Sequence, residues 1–79
     1  MIKVIAEDFI KEEYLEIVKP LYAELVAKTK LEQDCIEYNL YIDQDDKTHF
    51  IFIEEWPDHD ALDRHCQTEH FRRLVPLIN

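Results

Sequence analysis

Apolar and polar residues alternate from the first positions of the chain. Ile2, Val4 and Ala6 fall on one side, and Lys3, Ile5 and Glu7 on the other. A two-residue period rich in β-branched side chains predicts a strand over residues 2–9. From about Ile10 to Lys30 the spacing changes to three and four. Tyr14, Ile17, Val18, Leu21 and Leu25 share a stripe, joined by Tyr22 or Val26, which predicts a long amphipathic helix. Pro20 lies inside this helix. Proline removes one backbone donor and clashes with the carbonyl four residues earlier, so the helix is expected to kink there or to begin nearby.

Alternation returns at residues 35–43, where Ile36, Tyr38, Leu40 and Ile42 oppose Cys35, Glu37, Asn39 and Tyr41. The polar run from Asp43 to Lys47 then reads as a hairpin connection. Its partner strand, over residues 48–56, places Phe50, Phe52, Glu54 and Trp56 on one face and His49, Ile51, Ile53 and Glu55 on the other. After Pro57, Asp58 is placed to cap a second helix, with Asp60 in its first turn; that helix is expected to run to about Leu74 before Pro76 stops it. The order βαββα predicts an α+β fold with two helices on one face of an antiparallel sheet. Ferredoxin-like βαββαβ is the nearest common pattern, one strand short at Asn79. Either the fold closes without that strand or the chain is a shortened version of a longer one.

Composition narrows the function classes. A chain of 79 residues is a single domain, residues 1–79, at a size where one core supplies little net stability and a staple or a second copy is needed. Cys35 and Cys66 belong to no CxxC motif and read as reduced thiols, so association is the expected supplement. With 18 Asp and Glu against 9 Lys and Arg, and no basic cluster, the chain is not built to track nucleic acid. No apolar run is long enough for a signal peptide or a membrane span, so a soluble cytoplasmic protein is expected. Glycine is absent altogether, which excludes phosphate-cradling loops.

Several fragments occur in a telling order. Glu32-Gln33-Asp34-Cys35-Ile36-Glu37-Tyr38 precedes Phe50-Ile51-Phe52-Ile53-Glu54-Glu55-Trp56, and Asp58, Ala61-Leu62, His65, Thr68 and His70-Phe71 follow. Together they resemble the pattern of the antibiotic biosynthesis monooxygenase family over about residues 2 to 75. The resemblance implies a dimeric α+β barrel, in which two ferredoxin-like sheets pack face to face. It also implies oxidation of electron-rich aromatics such as quinols or anthrones by molecular oxygen, without flavin, haem or metal. Asp34 stands where the family usually has glycine, and a left-handed turn there is tolerable for Asp. The family's haem-degrading branch carries other residues at the positions that look like Asp8, His65 and Val75 here, which disfavours haem chemistry.

Oxygen reacts slowly with closed-shell molecules, so a cofactor-free oxidation needs a base that makes the substrate electron-rich. His65 matches the family's pocket histidine, and an imidazole, titrating at about 6.5, suits that role; a helix histidine without a role is the competing reading. Phe50, Phe52 and Trp56 would wall a pocket for a flat ring, with plain core packing as the alternative. Glu54 among them is costly to bury unless paired or used, so it either orients His65 or pairs with Arg64 or Arg72. Tyr38 matches the family tyrosine and is placed either to donate to a substrate oxygen or to pack in the core.

His70, five residues after His65, is expected off that helix face, as a capping or surface residue. His65 and Glu69 have i, i+4 spacing, but no third ligand is evident, so no metal site is expected. Cys66 turns about 100° away from His65 on a helix, which argues against a Cys–His nucleophile. The expected partners are a small aromatic substrate, oxygen and a second copy of the chain. A non-catalytic dimeric ligand-binding module, or an isomerase on the same scaffold, stays open beside the monooxygenase.

Overall fold

The computed structural model describes residues 1–79. Strand β1 (Ile2–Phe9) leads through a 3-10 turn (Glu12–Tyr14) into helix α1 (Leu15–Lys30). Strands β2 (Glu37–Ile42) and β3 (His49–Trp56) follow, then helices α2 (His59–Cys66) and α3 (Glu69–Ile78). The sheet order is β1-β3-β2, with both pairings antiparallel. This is the expected α+β, ferredoxin-like arrangement, with β3 at the centre of three strands.

The period-two alternation holds throughout β1 and β3 because one face is covered and the other is not; on β2 it fades toward the end, where Ile42 is exposed. Ile2, Val4 and Ala6 of β1, Tyr38 and Leu40 of β2, and Phe50, Phe52, Glu54 and Trp56 of β3 point toward the helices. Cross-strand register puts Val4 and Tyr38 on either side of Glu54, and Ala6 and Leu40 on either side of Phe52. The face of α1 that meets them is Leu15, Val18, Tyr22, Leu25 and Thr29, a 3-4-3-4 spacing. It is turned slightly from the expected stripe, leaving Tyr14 and Ile17 half exposed or more. Pro20 lies within α1 five residues past its start, so the helix neither begins nor ends there.

Three local expectations are corrected. The C-terminal segment is two helices: α2 ends at Cys66, and Thr68 caps α3, its Oγ1 accepting from the Phe71 amide (3.3 Å) and donating to the His65 carbonyl (2.7 Å). Pro76 does not stop the second of these, since α3 continues to Ile78 and the Asn79 amide still reaches the Val75 carbonyl. Asp34 adopts no left-handed conformation; no residue of the chain has positive φ. By contrast Asp58 caps α2 as expected, accepting from the Ala61 amide at 2.8 Å. Asp43 and Asp46 shape the hairpin, their side chains accepting from the Asp45 and Thr48 amides, which replaces the glycine such turns often use.

Candidate functional site: a ring-lined cavity beside a carboxylate–histidine cluster

The strand alternation that buries Phe52 also carries Glu54 into the interior, where it is 6% exposed. Its Oε1 accepts from the Trp56 indole Nε1 at 2.9 Å, two positions along the same strand face. Burial holds the Glu54 carboxyl above the usual carboxylate range; the Trp56 bond and the nearby His65 ring pull it back, and Glu32 adds to the rise. No Lys or Arg pairs with it, so the expected ion pair with Arg64 or Arg72 is not formed. Arg64 bonds Asp34 instead, at 2.8 Å.

Glu54 opens onto a cavity of about 170 Å³ between the sheet and the helices. Tyr22 and Leu25 of α1, Tyr38 of β2, Phe52 of β3, Ala6 and Asp8 of β1, Phe71, Val75 and Ile78 of α3, and Asn79 form the rest of its wall. Asp8 accepts from the Tyr22 hydroxyl at 2.8 Å. Burial pushes both tyrosine hydroxyls well above the ordinary phenol range, so they stay protonated; Tyr22 gives its hydrogen to Asp8. A cavity of about 150 Å³ admits one benzene ring, so this space is on the scale of a single aromatic ring. A wider concavity of about 520 Å³, between Phe9, Tyr14, Ile17 and Leu77, offers neither an acid nor a histidine. Size alone therefore does not select the site.

His65 lies behind this wall rather than on it. It is 2% exposed, wedged against Trp56, Phe71 and Tyr38 with ring centroids 4.7, 5.0 and 5.4 Å away. Its Nδ1 meets Glu32 Oε2 at 2.8 Å, and His70 Nε2 meets the same oxygen at 2.7 Å. A ring nitrogen facing a carboxylate oxygen donates to it, so His65 Nδ1 and His70 Nε2 both donate to Glu32. The expectation that His70 sits apart is thus corrected, because the break at Gln67 and Thr68 turns α3 so that both rings converge on Glu32. The three contact atoms lie within 4.8 Å of one another, and they are the groups that could hold a metal ion.

Of the residues singled out from the sequence, Tyr38, Phe52 and Glu54 line the cavity. Trp56 is fully buried core that positions Glu54, and Phe50 packs on Tyr22 with centroids 4.8 Å apart, outside the cavity. Sequence reasoning missed Asp8, Tyr22 and Phe71, and gave Glu32 no role although it opens the quoted motif. Thr68 followed by Glu69 is a helix-start signature that marks the break and, with it, the position of His70. The thiols of Cys35 and Cys66 are pushed up by burial and by neighbouring carboxylates, which makes them poor nucleophiles.

The family profile for antibiotic biosynthesis monooxygenase (ABM) matches residues 1–77, and the chain belongs to that family. It is 66% identical to a crystal structure described as an antibiotic biosynthesis monooxygenase, covering 100% of this chain and 83% of that one, with a TM-score of 0.99. A conserved protein from Methanosarcina mazei Go1 is 30% identical over 96% of this chain and 75% of its own, with a TM-score of 0.91. An uncharacterized protein of Synechocystis sp., sll1783, is 32% identical over 65 residues, which is 82% of this chain but 42% of that relative's length. No helix of the structure is long and apolar enough to cross a membrane.

Proposed function

We propose that this chain is a cofactor-independent monooxygenase that oxidises a single-ring, electron-rich aromatic such as a quinol. The observation that carries this is Glu54: a buried carboxyl opening onto a ring-sized, aromatic-walled cavity. With Oε1 held by Trp56, the other carboxylate oxygen is left to take a proton from a phenolic substrate. Tyr38 supplies a hydroxyl donor for a substrate oxygen, whereas the single Tyr22 hydrogen already goes to Asp8. The deprotonated quinol is then the electron donor to oxygen. Quinol plus dioxygen gives hydroxyquinone plus water, so the substrate provides every electron and no outside reductant enters.

In this reading Glu54 takes the role expected of His65, which stands one layer further in. His65, fixed by Glu32 through Nδ1, acts on Glu54 by charge and through the shared Trp56 and Tyr38 packing. Oxygen uptake with a panel of quinols tests the proposal. Glu54→Gln, which keeps the Trp56 bond, is expected to lower turnover by roughly 10²-fold, the usual contribution of a positioned base. Quinol binding without oxygen uptake in the unmodified protein would leave a ligand-binding module as the better reading.

We also propose that the protein acts as a homodimer through the uncovered sheet face. Ile5 and Phe9 are 67% and 69% exposed there, beside Ile51, Ile53 and Tyr41. Charged groups rim this apolar centre: Lys3 with Glu55 and Glu37 at one end, and His49 with Glu7 and Asp43 at the other. An apolar centre with a polar rim is the anatomy of a protein interface. A monomeric mass by sedimentation at micromolar concentration would refute it.

A further inference from the structure

We propose that Glu32, His65 and His70 form a binding site for a divalent transition-metal ion of the zinc class. The inference is independent of the oxidation reading, because it is read by binding and not by turnover.

The first support is charge. The Glu32 side chain is only 14% exposed, and its charged partners are the two imidazoles alone. No lysine or arginine pairs with Glu32: Arg64 is engaged with Asp34, and Arg73 and Lys28 with Glu24. Glu54 lies close enough for Glu32 to raise it, so a second acid deepens the negative field. A buried carboxylate without a fixed positive partner is costly, and a cation bound beside it removes that cost.

The second support is the donor set and its placement. Two imidazole nitrogens and one carboxylate oxygen suit borderline ions such as Zn²⁺, whereas Mg²⁺ and Ca²⁺ prefer all-oxygen sites. The donors come from three separate places: Glu32 from the turn after α1, His65 from the end of α2, and His70 from the start of α3. An ion here would clip these together, and with three protein ligands it would keep an open position. Ligands about 2.0–2.1 Å from a tetrahedral ion stand about 3.3 Å apart. The Glu32 contacts, now 2.8 and 2.7 Å, therefore need to open by about half an ångström, and the two imidazole nitrogens, which lie within 4.8 Å of each other, need to close to that spacing.

The test is titration of the metal-stripped full chain with Zn²⁺ against a chromogenic chelator, together with thermal melts. One ion per chain and a rise in Tm are expected. X-ray absorption should show N/O donors at about 2.0–2.1 Å and no sulfur. His70→Ala and Glu32→Gln should each weaken binding by roughly tenfold or more and abolish the Tm rise, as loss of a ligand requires. The double variant Cys35→Ser, Cys66→Ser should bind as the parent does. Stoichiometry and donor type on the unmodified chain decide the matter even where a variant fails to fold. Absence of binding, sulfur coordination, or unchanged affinity in folded His70→Ala and Glu32→Gln would overturn the proposal.

Discussion

Glu54 and Glu55 are consecutive residues of one central strand, and the sheet sends them into opposite environments. Glu54 faces the helices, is 6% exposed, and has no cationic partner; burial holds its carboxyl above the usual range. Glu55 faces away, and Lys3 meets it at 2.8 Å from the next strand. The pair shows how position on a pleated sheet, and not residue type, decides whether an acid is a surface charge or a buried carboxyl. The same division runs along the strand. Phe50, Phe52 and Trp56 are core on one side, while Ile51 and Ile53 are only half covered on the other. What separates the faces is the helix layer, which shields one and leaves the other to water or to a second copy.

The largest expected effects lie on the covered face. Phe52 is 5% exposed and touches Tyr22 and Tyr38 with centroids 5.7 and 5.3 Å away. Truncating it removes buried surface and leaves a void, so Phe52→Ala is expected to cost about 3–5 kcal/mol in chemical denaturation. A loss under about 1 kcal/mol would mean that this face is not the core the geometry describes.

Next comes the glutamate pair itself. Glu54→Gln is expected to reduce turnover by roughly 10²-fold, while Glu55→Gln leaves it unchanged. Stability should move the other way. Because the folded-state value of Glu54 is raised, the native protein holds this proton at pH values where the unfolded chain has released it. Stability therefore falls as pH rises from about 4.5 through the raised value. Glu54→Gln removes that loss and should have the higher Tm at neutral pH. Turnover of the parent should rise with pH through the same range, and the Gln variant should lack that limb. Equal turnover in the two variants would take the base role away from Glu54.

On the open face the expected effect is on association. Ile5→Lys places a charge at the apolar centre of the outer surface, opposite Ile53 in the register. The folded monomer should tolerate it, since the site is 67% exposed, whereas the sedimenting mass should shift from dimer toward monomer. A variant that stays dimeric would place the interface elsewhere.

The contrast between faces also sets what could be read from residues alone. Alternation identified all three strands, and it put Phe52, Glu54 and Trp56 on one side, because a period of two survives wherever one face is buried. Asp58 was legible as a cap for the same local reason. The cluster was not legible, since it depends on a helix break that costs only two residues, Gln67 and Thr68. Periodicity continued through the break made His70 an outward residue, and tertiary convergence on Glu32 carries no sequence period at all. His65 was singled out for its chemistry, but Tyr38 and Phe71 of the cavity wall, with Trp56 in the core beside them, pack around it. Those rings come from three elements brought together only by folding.

The smallest expected effect sharpens the comparison at the rim of the open face. His49 lies on β3 beside Ile51, with Nδ1 at 3.1 Å from Asp43, Nε2 at 3.1 Å from Glu7, and its ring stacked on Phe9 at 4.3 Å. The Asp43 bond raises its pKa most; burial opposes this and Glu7 adds to it. For a histidine with a raised folded value, the protonated form is the one the fold favours. The stabilisation is fully present below the unfolded value of about 6.5 and is lost as pH rises through the folded value. Tm of the parent should therefore fall through that window relative to His49→Gln, whose curve lacks the step. Added salt should shrink the difference, since solvent screens such groups. Proton titration of the His49 ring by NMR gives the direct check. A midpoint below about 6.5 would show that the two carboxylates do not hold the ring charged, and that this rim, unlike the buried face, contributes no electrostatic preference to the fold.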